Sequence, residues 1–224
     1  KKYLLHWASL FLAVMQNKGR GTFISFEGID GSGKSTQIEL IKKYLLKNKK
    51  KVLFTREPGG TFEAELIRKL ILSKNKKINL DNKTEILLLL AARHEHYKKL
   101  IEPAIRNGTI IICDRFIDST LAYQCAGNNE LKKFYFQISK LLINKFEPDL
   151  TILLDISPIK ALERINERKN KNKYDNKNLS FFSNVRKGYN ELAKNNSRIQ
   201  KLNALNDKNI LAEKIRKLII NLLK

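Results

Sequence analysis

The chain has 224 residues, enough for one α/β domain with a substantial core, and 42 % of them are hydrophobic, which excludes wholesale disorder. It carries 44 Lys and Arg against 22 Asp and Glu, a formal net charge of +22, and so basic a surface draws anions, whether nucleic acid or small phosphates. Its two cysteines, Cys113 and Cys125, lack CxxC spacing, which argues against a disulfide framework or zinc site and suits a reducing cytoplasm.

The lysine runs at 47–51, 74–77 and 169–177 fall in predicted loops and helix ends without interleaved aromatics. Lys and Asn share A/T-rich codons, and a biased genome scatters both over solvated faces. Charge alone therefore does not predict nucleic-acid binding. The chain opens on Lys1, with an apolar run at 3–14 before its single methionine, Met15. Two lysines and a short apolar segment resemble a signal peptide, and the run is too short to span a bilayer. Residues 1–14 are read as an extension added in cloning or by upstream translation, and 15–224 as a single domain.

Strand and helix signals then alternate, the pattern of a parallel sheet covered by helices. A strand is predicted at 22–26, a helix at 34–47, a strand at 52–55 and a helix at 61–73. A long helix follows at 84–107, bent or interrupted at Pro103 and stopped by Gly108, then a strand at 109–113. Helices are expected at 118–126 and 130–146, a strand at 150–154, and a helix from Pro158 to about Arg168. A Lys/Asn-rich stretch to Asn178 reads as a mobile loop. A helix at 179–194, a weak strand at 199–202 and a C-terminal helix from Lys208 complete the chain.

The strongest local signal is Gly28-Ile29-Asp30-Gly31-Ser32-Gly33-Lys34-Ser35, followed by Thr36. It matches G-x-x-x-x-G-K-[ST] and lies between a predicted strand and helix, as that motif requires. Glycines let such a loop turn tightly and aim backbone N–H groups at phosphate oxygens, while the helix N-terminus adds partial positive charge. Lys34 is expected to reach the β- and γ-phosphates, and the Ser35 hydroxyl to ligate Mg²⁺. The motif predicts binding of ATP or GTP.

Three further runs narrow the choice: Phe26-Glu27-Gly28-Ile29-Asp30, Thr55-Arg56-Glu57-Pro58-Gly59-Gly60-Thr61, and Asp114-Arg115-Phe116 continuing to Ala122-Tyr123-Gln124. In this order and spacing, from about Gly21 to the C-terminus, they resemble the thymidylate kinases. The resemblance implies a P-loop NTPase fold, an α/β five-stranded parallel sheet flanked by helices with a lid at about 165–180. It also implies ATP and dTMP as substrates and a homodimer, with neither nucleic acid nor membrane as partner.

The same resemblance assigns roles. Arg56 grips the monophosphate, for which a guanidinium fork is well shaped; a surface ion pair with Glu57 is the competing reading. Asp30 holds the acceptor sugar and helps organise Mg²⁺, while Asp114 and Arg115 organise the metal and the acceptor phosphate. Arg93 hydrogen-bonds the thymine, Thr120 lies near its N3, and Tyr123 packs beside the deoxyribose. Leu89 departs from the pattern, since the family often places an aromatic there to stack on the base. Gly31 stands where some members carry a loop arginine, so the bacterial arrangement is implied, with Arg168 as the catalytic lid arginine and Arg164 preceding it on one helix face. Lys173, where the family commonly has arginine, receives no sharp role. The alternatives are a related kinase for dUMP, dCMP or a nucleoside and, more remotely, a non-catalytic nucleotide-dependent binding module.

Overall fold

The computed structural model describes residues 19–75, 77–143, 146–167 and 173–224; residues 1–14 and Arg168 lie outside the described residues. Strand β1 (Phe23–Glu27) is buried along its whole length, as its apolar sequence demands of a central parallel strand. It is flanked by β3 (Ile110–Asp114) and β4 (Leu150–Asp155), with β2 (Val52–Arg56) and β5 (Ile199–Asn203) outside them. All pairings are parallel in the order β2-β3-β1-β4-β5, the five-stranded sheet that the sequence implied. The weak strand predicted at 199–202 is thus real, and it closes one edge. Along β1, side chains alternate between faces: Ile24 and Phe26 enter one apolar cluster and Phe23 the other, so helices cover both sides.

Register decides what meets at the carboxyl edge. Arg56 lies opposite Asp114, and Asp114 opposite Phe26, so the loops after β1, β2 and β3 open onto one crevice. Helix α1 (Lys34–Lys47) begins there. Helix α2 (Phe62–Ile71) is capped by Thr61, whose hydroxyl accepts from Ala64 N–H at 3.3 Å. Asp81 caps α3 (Asn82–His96) by accepting from Lys83 and Thr84 N–H, which starts that helix two residues before the expected 84. The bend expected at Pro103 takes the form of a widened π turn, Tyr97–Ile101, ahead of α4 (Glu102–Arg106). A proline ring crowds the carbonyl four residues back, and the wider turn makes room for it.

Helices α5 (Ile117–Tyr123) and α6 (Asn129–Ile143) follow. Helix α7 (Pro158–Asn166), capped by Ser157, stops short of Arg168. The expected mobile loop is described from Lys173, where a 3₁₀ turn (Tyr174–Asn176) leads into α8 (Leu179–Lys194). That turn is not a solvated loop: Asp175 is buried, and Tyr174 packs on Phe181. Helix α9 (Lys208–Leu222) is capped by Asp207. A buried polar seam fixes α5: Arg198 donates to both Asp118 carboxylate oxygens at 2.7 and 2.8 Å, and Thr151 on β4 donates to Asp118 at 3.1 Å. Asp118 is 1 % exposed, and a carboxylate so placed persists only when paired.

Candidate active site

The phosphate loop is shaped by glycine at two positions for different reasons. At Gly31 (φ 81°) an added Cβ would stand 2.5 Å from the Ala161 carbonyl, so there is no room for a side chain. At Gly33 (φ 90°) there is room, with the nearest atom, on Arg164, 3.9 Å away; here the left-handed backbone excludes other residues. Gly33 also stands at the N-cap of α1, where it offers no side-chain acceptor, and the N–H groups of the first helical turn are left for a ligand. Lys34 is buried and folds back over the loop, donating to the carbonyls of Gly28 at 3.0 Å and Ile29 at 3.3 Å. Burial, reinforced by Arg115, pushes its ammonium down to about 8. Ser35 and Thr36 are exposed beside it. The side chain of Ile29 anchors the loop in the core.

Arg115 connects this loop to the rest of the site. Its backbone is left-handed (φ 71°), which is costly for a non-glycine residue and needs surrounding support. The support is a full set of acceptors: Asp30 at 2.8 Å, the Gly28 carbonyl and Ser119 at 3.1 Å, and the hydroxyls of Tyr123 and Tyr189 at 3.2 Å. Burial would raise the Asp30 carboxyl, but Arg115 and then Lys34 outweigh it and hold it at about 2. The Tyr123 hydroxyl donates to Asp30 at 2.9 Å, and the Arg115 guanidinium lies 4.9 Å from the Tyr123 ring centroid. Behind Arg115, Glu27 accepts from Phe116 N–H at 2.6 Å, Ser119 at 2.5 Å and Tyr189 at 2.9 Å. Burial, with Asp118 nearby, raises the Glu27 carboxyl to about 7.

A second group of charges lies after β2. Arg93 is buried and donates to Glu57 at 2.7 Å, to Thr120 at 2.9 Å, and to the Phe116 carbonyl and Tyr135 at 3.3 Å. The other Glu57 oxygen faces His96 Nδ1 at 2.9 Å, and His96 Nε2 faces the Thr55 hydroxyl at 2.7 Å. Glu57 is therefore a buried anchor, and the surface pair weighed between it and Arg56 does not form. Arg56 pairs instead with Glu65 on α2, at 3.1 Å to each carboxylate oxygen, and this holds the exposed guanidinium over the cleft. Arg68, one turn further along α2, donates to the Pro58 carbonyl at 2.7 Å and lines the site on both sides.

Two clefts result. One, about 250 Å³, is lined by Lys34, Ser35, Thr36, Arg56 and Asp114. The other lies between Leu89, Arg93, Thr120 and Tyr123, with Tyr174 and Gln124 completing its wall. Asp30, Glu57, Arg68 and Arg115 line both. Arg164 donates to the Gly31 carbonyl at 3.2 Å and borders a third depression with Ala204, Asn206, Asp207 and Lys208, on the outer side of the loop. The sequence reading missed Glu57, Arg68, Tyr174, Gln124 and this last loop. Glu57 and Gln124 carried a local signal as members of the quoted motif runs, and Arg68 one through its i,i+3 spacing from Glu65 on an amphipathic helix.

The residues also suit a divalent cation. Asp114 Oδ1 is buried at the carboxyl end of β3 without a hydrogen-bond partner among the described residues, and the exposed Ser35 hydroxyl lines the same cleft. An oxygen-only donor pair completed by phosphates and water fits Mg²⁺, which keeps much of its hydration and takes few protein ligands.

With that geometry in place, comparison with known proteins is decisive. The family model described as thymidylate kinase matches residues 26–215. The chain belongs to the thymidylate kinase family. It is 46 % identical over 173 residues to the thymidylate kinase of Wolbachia pipientis wMel, covering 76 % of this chain and 84 % of that one. It is 43 % identical over 186 residues to the thymidylate kinase of Orientia tsutsugamushi (strain Ikeda), covering 80 % and 83 %. Among solved structures, the thymidylate kinase from Ehrlichia chaffeensis matches with a TM-score of 0.71 and 35 % identity, over 89 % of this chain and 98 % of that one.

Lys34 is expected to meet a triphosphate as an ammonium, and burial draws its pKa down to about 8. Above that pH, binding has to take up a proton. The affinity for a non-hydrolysable ATP analogue should be level below about pH 7 and fall about tenfold per unit well above pH 8. Titration calorimetry across pH checks this; Lys34→Met should bind weakly and without the slope.

Proposed function

We propose that this kinase transfers the γ-phosphoryl group of ATP to dTMP, giving dTDP and ADP, and that it does so in the cytoplasm. The observation that carries the reading is the shared wall: a glycine-rich loop at a helix N-terminus and a guanidinium-lined pocket meet at Asp30, Glu57, Arg68 and Arg115. Membership of the family supports the identity of the acceptor.

The chemistry asks for alignment more than for acid–base help. A phosphate monoester has a second pKa of about 6, so its attacking oxygen is ionised at neutral pH. The protein's task is to hold two repelling anions in line and to stabilise the charge that spreads during transfer. The main-chain amides at 28–36 and Lys34 hold the donor phosphates. Ser35 and Asp114 would hold Mg²⁺, which when bound would supply positive charge against the donor phosphates. Arg56, pre-oriented by Glu65, and Arg115 bind the acceptor phosphate, and Arg68 assists from the same wall. Asp30 and Tyr123 contact the deoxyribose, while Thr120 and Arg93 address the base with Leu89 against its face. The Arg93 donors turned toward Glu57 and Thr120 fix its plane, so it meets a base in one orientation. Arg164 borders the donor side, and Arg168 is assigned the catalytic lid role by resemblance.

A homodimer is part of this proposal. Phe62, Leu66 and Leu70 form an exposed apolar stripe on α2, with 76 %, 49 % and 39 % of their surface accessible. Such a stripe at i, i+4, i+8 asks for a partner surface.

The acceptor is tested by a panel of dTMP, dUMP, dCMP and thymidine with ATP, scored by ADP release. dTMP should exceed each other acceptor in kcat/KM by roughly tenfold or more, and a preference for dCMP or thymidine would overturn the reading. In the same assay Arg168→Ala should lower kcat by at least about tenfold with little change in the dTMP KM. By sedimentation, Leu66→Glu should shift the protein from dimer to monomer, since it places a charge in an apolar contact.

A further inference from the structure

The acceptor pocket has a wall that the phosphate-loop and strand-end motifs do not supply. Tyr174 lines it from the segment beyond α7, its ring centroid 5.5 Å from that of Tyr123 at 78° and 6.1 Å from that of Phe181 at 16°. What fixes this ring is a carboxylate on a different element. Glu85, 8 % exposed on α3, accepts from the Tyr174 hydroxyl at 2.6 Å and from Gln124 at 2.9 Å through one oxygen, and pairs with Lys173 through the other. Gln124 also donates to the Tyr174 hydroxyl at 3.0 Å, which closes a three-membered ring of hydrogen bonds. Glu85 lies one and two helical turns before Leu89 and Arg93, so it stands on the same face of α3 as the residues that meet the base. The carboxylate thus joins three segments of chain at the rim of the pocket.

Burying a carboxylate is costly unless it is paired and hydrogen-bonded, and here every partner leads to the pocket wall. We propose that Glu85 is a positioning residue for the acceptor base: it fastens the segment beginning at Lys173 to α3 and sets Tyr174 as the pocket's aromatic wall, the surface that Leu89 does not provide. The proposal rests on the reading of dTMP as acceptor and adds to it a specific means of base capture.

The test is a double-mutant cycle on steady-state kinetics with Glu85→Ala, Tyr174→Ala, both together, and Tyr174→Phe. Each alanine variant should raise the KM for dTMP roughly fivefold or more while the KM for ATP changes by less than about twofold. Because Glu85 acts through Tyr174, the double variant should be within about twofold of the worse single one, whereas independent structural effects would multiply. Tyr174→Phe keeps the ring but removes the hydroxyl that Glu85 holds, so it should raise the dTMP KM about as much as Glu85→Ala does, and a wild-type KM in that variant would overturn the proposal. An unchanged dTMP KM in Glu85→Ala or in Tyr174→Ala, or effects that multiply, would overturn the proposal. Thermal unfolding of each variant identifies a folding defect; if Glu85→Ala fails to fold, Glu85→Leu, which likewise lacks the acceptor but fills the space, takes its place in the cycle under the same criteria. Absence of dTMP turnover by the wild-type protein in that assay would overturn the acceptor reading instead.

Discussion

The Arg115 guanidinium is the joint on which the two clefts are aligned. It ties the phosphate loop, through Asp30 and the Gly28 carbonyl, to α5, through Ser119 and Tyr123, and to α8 through Tyr189. The loop follows β1, α5 follows β3 and α8 leads into β5, and without a common charge their relative positions would be set by apolar packing alone. Packing is tolerant to a few tenths of an ångström, whereas charge-assisted hydrogen bonds have preferred directions. The strained backbone at Arg115 is one cost of this arrangement. Glu27 supports it from behind, because the Ser119 and Tyr189 hydroxyls that accept from Arg115 donate in turn to Glu27.

A parallel arrangement surrounds Glu57. One carboxylate orients Arg93 toward the base pocket and meets His96, so the loop after β2 is pinned to α3. Arg56 sits between the pinned Thr55 and Glu57, and its side chain points away to be set by Glu65. The division is sensible physically. Buried charges fix geometry at a high desolvation cost, and the exposed arginine keeps the reach needed to meet an incoming anion.

Much of this was legible from residues alone, for identifiable reasons. The run from Gly28 to Ser35 encodes a loop whose shape depends on its own glycines, so local sequence suffices. Arg56 and Asp114 end their strands and Arg115 follows directly, and strand ends in a parallel sheet face the crevice. Tyr123 and Thr120 come from a short helix anchored in that same motif. What stayed hidden was pairing across the chain. Glu57 meets Arg93 at 36 residues' separation and Glu85 meets Tyr174 at 89, distances that no periodicity encodes. For the same reason the Lys/Asn-rich composition before Asn178 suggested a solvated loop, although its last residues pack against α3 and α5. Helix ends were missed where a cap decided them, as with Asp81 and α3.

The bare N-terminus of α1 has an effect on the lifetime of the molecule. With glycine at the cap, the first-turn amides at the carboxyl end of β1 have no side-chain acceptor and are open to an anion. Anything that binds only the folded form deepens the folded well in proportion to its abundance. An anion held at that helix end would therefore lower the proportion of molecules open to proteolysis.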